Sequence, residues 1–238
     1  MKLDAKEAAE KIVHTYYPHC EVALLSGSVV RGEATKTSDL DIVLFDDQLL
    51  SSYRESFHAY GWPVEVFAHS FSSYQKFYKS DCERGRPSLP RMVAEGYVIK
   101  GDAVKLKEEA EQLLASGPAS WDEKKIWEKR YFITDVLEDF IGSEDRAEEI
   151  FIVNKMADLI HEFVLRTNRC WTGDSKWVIK AIQAYDPVFA KGFVKSLERY
   201  YVHGEKEPLI KLVDEVLAPY GGRLFAGFSL GKKNEKQT

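Results

Sequence analysis

Ala5, Ala8, Ala9, Ile12, Val13, Tyr16 and Tyr17 recur at the three- and four-residue spacing of one helical face, with Asp4 and Glu7 placed like a capping box and Pro18 closing the segment. Glu21 to Leu25 is short and apolar and runs into Ser26-Gly27-Ser28, which predicts a buried strand entering a tight turn. Leu40 to Phe45 reads as a second strand. The spacing of Leu49, Leu50, Tyr53 and Phe57 predicts a helix that Gly61 terminates, and Pro63 to Ala68 a third strand. Ser70 stands as the cap of a helix carrying Phe71, Tyr74, Phe77 and Tyr78. A short helix over Ser88 to Glu95, stopped by Gly96, and a strand at Tyr97 to Ile99 complete this half.

After Ser116-Gly117-Pro118 the pattern becomes helix upon helix. Ile126, Ile133, Leu137 and Phe140 form one stripe, and Val153, Met156, Ala157, Ile160, Phe163 and Val164 form a denser one. Further helices are expected over Lys176 to Tyr185, Pro187 to His203 and Glu207 to Ala218. The fold class is therefore α+β: a small mixed sheet with helices over residues 1–118, an all-α bundle over 119–230, and a polar, disordered tail over 231–238.

Composition narrows the picture. An apolar content of 45% in 238 residues supports one large core or two modest ones. Charges run through the first twenty residues and no apolar run is long enough to span a bilayer, so a cytoplasmic protein without membrane attachment is expected. Cys20, Cys82 and Cys170 are too far apart for a C-x-x-C pattern and read as small buried hydrophobes. The net charge of −5 gives no general attraction to a polyanion, which disfavours nucleic acid as a partner and suits a cationic small molecule better. Arg84, Arg86 and Arg91 form the densest basic cluster, either a solvated loop or a phosphate contact.

The chemistry concentrates in Ser26-Gly27-Ser28, ten intervening residues, Asp39-Leu40-Asp41 at the head of an apolar strand, and Val64-Glu65-Val66 on the next. Side chains alternate along a strand, so Asp39 and Asp41 share one face while Leu40, Ile42 and Leu44 take the other. Two adjacent carboxylates repel unless a cation lies between them, and Glu65 brings a third if its strand is a neighbour in the right register. Three such groups suit two Mg²⁺ ions. Gly27 permits close backbone approach, and amides around Ser28, at an expected helix start, point to phosphate oxygens.

At these residues the sequence resembles the DNA polymerase β-like nucleotidyltransferases, whose pattern is Gly-Ser, a spacer, Asp-x-Asp on a strand and a later acidic residue. The likeness covers about residues 20 to 70. Gly27-Ser28-Val29-Val30-Arg31-Gly32 and Thr37-Ser38-Asp39-Leu40-Asp41, with Trp127 to Phe140 and Gly173 to Trp177 more loosely, are most similar to bacterial aminoglycoside-type members with a HEPN-like helical domain. The resemblance implies transfer of a nucleoside monophosphate, usually AMP from ATP, to an acceptor hydroxyl with release of pyrophosphate. By position, Asp39 and Asp41 bind both metals, Glu65 the catalytic metal, and Gly27 and Ser28 the phosphates.

Arg31 stands either on the phosphate side or in a solvated loop, and Lys176 either reaches the triphosphate or does not. Glu128, Asp135, Glu138 and Asp139 are candidate bases on one helix. Asn154, Asp158 and His161 make a polar stripe that lines a cleft or faces water. A small hydroxyl-bearing acceptor and a monomer or homodimer are expected. The rivals are protein AMPylation, extension of an RNA end, and a non-catalytic nucleotide-binding, antitoxin-like partner.

Overall fold

The computed structural model describes residues 2–231, and the tail expected from 231 onward lies, past Gly231, outside the described residues. The chain divides into two compact units, Met1–Gly117 and Pro118–Thr238.

The first unit is built on a five-stranded mixed sheet: β1 (Val22–Ser26), β2 (Leu40–Phe45), β3 (Tyr53–Ala59), β4 (Trp62–His69) and β5 (Tyr97–Lys100), in the spatial order β3-β4-β2-β1-β5. Only β2 and β4 run parallel. Both faces are covered. Leu25, Leu40, Ile42, Leu44, Val64 and Val66 pack with Ala8, Ala9, Ile12 and Val13 of α1 (Ala5–Tyr16). Leu24, Val43 and Phe45 pack on the other side with α2 (Tyr74–Glu83), α3 (Ser88–Glu95) and α4 (Val104–Ser116). Two-sided burial explains why β1 and β2 read as nearly continuous apolar runs. Asp4 caps α1, accepting from the Lys6 and Glu7 amides, but the Glu7 carboxylate pairs with Lys11 in the next turn. Residues 104–116, which carried no assignment in the sequence pattern, form α4.

Three expectations are corrected. The segment of Tyr53 and Phe57 is not a helix but an edge strand, with Leu50 in solvent. Its helical spacing loses to the turn that follows: Tyr60 and Gly61 hold φ of +50° and +82°, the two-residue hairpin geometry that pairs Ala59 with Trp62. The charges of Arg54 and Glu55 suit an edge. Gly61 is needed there doubly, since a side chain would meet the Lys2 backbone at 2.7 Å. The second correction falls at Ser70, which does not cap α2; the helix starts at Tyr74, and the Ser73 hydroxyl instead accepts from the Ser70 amide. The third lies after β1, where no helix opens at Ser28. A single turn forms, Arg31 N–H donating to Gly27 C=O and Glu33 N–H to Ser28 C=O, closed by Gly32 in the left-handed region.

The second unit comprises α5 (Glu123–Gly142), α6 (Arg146–Thr167), α7 (Lys176–Tyr185), α8 (Pro187–His203) and α9 (Glu207–Leu217) around a core of Leu137, Phe140, Met156, Ile160, Phe163 and Tyr200. Inside it the buried Glu149 carboxylate accepts from the Tyr200 hydroxyl at 3.0 Å and pairs with Lys206 at 2.6 Å. The polar stripe on α6 splits, with Asn154 and Asp158 exposed and His161 buried. Among the described residues no helix is long and apolar enough to cross a membrane.

Candidate metal centre

Asp39 immediately precedes β2, Asp41 lies within it, and the parallel ladder sets Asp41 directly opposite Glu65 of β4. Because Val64 and Val66 are buried on the α1 side, Glu65 projects to the same face as Asp41. One carboxylate oxygen from each of Asp39, Asp41 and Glu65 lies within 4.8 Å of the others, and all three side chains are half-buried. Burial first, then the charges of Asp39 and Glu65, push the Asp41 carboxyl up to about 6, against the pull of Arg31 and Arg54. An all-oxygen donor set whose members repel one another fits a hard divalent cation, which replaces the repulsion by attraction.

Gly27 stands against this cluster. Its φ is +79°, and a Cβ there would lie 1.9 Å from Asp41 Oδ2. The bare Cα is therefore a condition of the site: any side chain would displace the carboxylate. Ser28 follows with its hydroxyl donating to Ser38 Oγ at 3.0 Å, and Ser38 Oγ accepts the Thr35 amide at 2.8 Å, so the spacer folds back and delivers the chain to Asp39. The buried Ser26 hydroxyl donates to the Met92 carbonyl, tying the end of β1 to α3.

Arg31 lies beside the cluster, paired with Glu33 at 3.1 Å and Glu95 at 3.0 Å. Lys176 belongs to the second unit, exposed at the first residue of α7. Glu128 and Glu138, also in the second unit, are paired with Lys125 and Arg223. In the basic cluster Arg84 pairs with Asp81, and Arg91 lies 3.9 Å from Glu95.

Sequence reading missed Arg54. From β3 its guanidinium contacts Glu65 Oε2 at 2.5 Å and covers the Phe67 ring at 4.8 Å. Reading residues 53–59 as a strand would have placed Arg54 beside Phe67 and Glu65; the helical spacing concealed it.

No curated protein matches the chain. Among solved structures, a nucleotidyltransferase-like protein from Exiguobacterium sibiricum is 12% identical, covering 90% of this chain and 73% of that one at a TM-score of 0.46. The family model for the nucleotidyltransferase domain matches residues 7–171, a span that takes in the Gly27-Ser28 turn, all three carboxylates and helices of both compact units, and the chain belongs to that family.

Proposed function

We propose that the chain is a Mg²⁺-dependent nucleotidyltransferase that moves a nucleoside monophosphate, AMP from ATP, to the hydroxyl of a small acceptor. The observation that carries this reading is the Asp41–Glu65 register, which brings three carboxylates together against the bare Cα of Gly27. Residues 1–118 form the catalytic domain in this reading, and 119–230 a helical domain of the HEPN-like kind.

Asp39 and Asp41 would hold both of two Mg²⁺ ions and Glu65 the one nearer the attacking oxygen. Bound there, the ions would favour ionisation of the acceptor hydroxyl and offset the charge of the triphosphate. Gly27 and Ser28 would give the phosphates an approach that a side chain at Gly27 would close, and Arg31, paired with Glu33 and Glu95 beside Asp41, would add a cation on the phosphate side. The acceptor oxygen bonds to the α-phosphorus as the bond to the bridging oxygen breaks; pyrophosphate leaves and the hydroxyl proton passes to solvent.

Isothermal titration of a nonhydrolysable ATP analogue, with and without Mg²⁺, into wild type and the Asp39→Asn, Asp41→Asn double variant tests the reading. Metal-dependent binding that the double variant loses is expected. Failure of wild type to bind any of the four common nucleoside triphosphates as such analogues would overturn it.

A further inference from the structure

On the carboxylate face of the sheet a cleft of about 430 Å³ opens between β3, β4, α2 and α3. Its walls include Phe67 and His69, which follow Glu65 at alternate positions of β4, with Arg54 of β3, Phe77 and Asp81 of α2 and Leu89 of α3. None of the three carboxylates of the triad lines it; Arg54, which contacts Glu65, stands in its wall, and at a strand's rise Phe67 and His69 lie about 7 and about 13 Å along β4 from Glu65. The volume suits a small molecule.

Its side is informative. In the order β3-β4-β2-β1-β5 the Gly27-Ser28 turn leaves β1 on one flank of the carboxylates, and the strands that wall the cleft, β4 and β3, lie on the other, while Met92 of α3, whose carbonyl accepts from Ser26, bounds it toward β1. Phosphoryl transfer places the attacking and departing oxygens on opposite sides of phosphorus. With the departing pyrophosphate at Gly27-Ser28, the hydroxyl must arrive from the side of β4 and β3.

The lining indicates what arrives. His69 is 5% exposed and its Nδ1 is buried without a hydrogen-bond partner, while its ring meets Phe77 edge-on at 4.6 Å. Burial pushes the imidazole down to about 4, so it offers a neutral polar nitrogen. Asp81 is the one carboxylate in the walls, and it is spent internally, one oxygen on Arg84 and the other on the Leu89 amide. Arg54 and Arg84 also border the space, each paired with a carboxylate, Glu65 and Asp81, so the walls present no free anion to an ammonium group.

We infer that this cleft is the acceptor subsite and that the acceptor is an uncharged hydroxyl compound with a flat, apolar or aromatic body, held against Phe77 and the neutral ring of His69 beside the Arg54-covered ring of Phe67. This rests on the nucleotidyl-transfer reading of the triad and replaces the cationic acceptor that overall charge alone favours.

The test uses the full-length protein and 2-naphthol, with saturation-transfer NMR and equilibrium dialysis as readouts. Saturable binding is expected that persists with Mg²⁺ and the nonhydrolysable ATP analogue bound, is not displaced by the polycationic amino sugar kanamycin, and weakens about tenfold or more in Ser88→Trp, which fills the mouth from an exposed position, and in Phe77→Ala. Wild-type competition needs no variant and so survives a folding defect in either. Displacement of 2-naphthol by the nucleotide analogue would assign the cleft to the nucleobase and overturn the inference, as would displacement by kanamycin or undiminished binding in both folded variants. If 2-naphthol binds the cleft but the analogue never binds the protein, the transfer reading fails and the acceptor role with it.

Discussion

Replacing Asp41 by asparagine should stabilise the metal-free protein at neutral pH. The wild-type carboxyl is raised from an ordinary 3.8 to about 6, so the folded chain holds this proton more tightly than the unfolded chain does. Its contribution is fully present below pH 3.8, is lost as pH rises through 6, and leaves the fold about 3 kcal/mol weaker above that. Water reaching the half-buried site screens part of this, and about 2 kcal/mol is a fairer expectation. Asparagine keeps the shape without the charge. His69 complicates the wild-type curve in the opposite sense: lowered from 6.5 to about 4, it adds stability above 6.5 that is lost as pH falls toward 4. The two trends offset each other, so wild type should look nearly flat between pH 5 and 7.5 while the difference from the variant isolates Asp41. Urea unfolding in EDTA, with hydrogen exchange read on peptides spanning β2 and β4, measures it. The variant should gain about 2 kcal/mol at pH 7.5 and about half that at pH 5, and Mn²⁺ should reverse the order by stabilising wild type alone. Equal or lower stability of the variant at pH 7.5 in EDTA would refute the reasoning.

Gly27→Ala should abolish Mn²⁺ binding by calorimetry, because its Cβ would occupy the space of Asp41 Oδ2, and should also lower stability by about 1 to 3 kcal/mol in thermal melts, given the positive φ. Arg54→Ala removes a cation that neutralises Glu65, so Mn²⁺ should bind about 3- to 10-fold tighter in the same titration; weaker binding would show that Arg54 helps build the site. In the helical unit, Glu149→Ala strands the Tyr200 hydroxyl and removes the counter-ion of Lys206, whose ammonium keeps the Phe140 and Ser143 carbonyls, and about 1 to 3 kcal/mol should be lost in denaturant unfolding, with nucleotide binding retained.

The parts of the site legible from sequence are those governed by short-range rules. Asp39 and Asp41 follow from alternation on one apolar strand, and the pairs Val64/Val66 around Glu65 fixed which way that side chain faces once β4 was a strand. The neighbour relation itself, β4 parallel to β2 with β3 outside, is a tertiary fact that no local pattern encodes. Helices α5 to α9 were legible because a bundle buries one stripe per helix at a constant period. The stretch 49–61 failed because four apolar residues happened to fit a helix, whereas the deciding information lay in the turn, at Tyr60 and Gly61. That error hid Arg54. His69 passed unremarked because a histidine at a strand end carries no signal of its own; its significance arises from Phe77 and Asp81, which approach it from α2.

The placement of the triad on central strands has a consequence for the lineage of such a chain. Strands β2 and β4 are paired on both edges, so the fold can absorb carboxylates that repel one another there without coming apart. Under mutation alone, drift would run toward chains that have shed one of these charges and fold more firmly for having lost it. A descendant that keeps Asp39, Asp41 and Glu65 together is therefore one in which use of the site is still being selected, and decayed copies should be recognisable by substitution of Asp41 first.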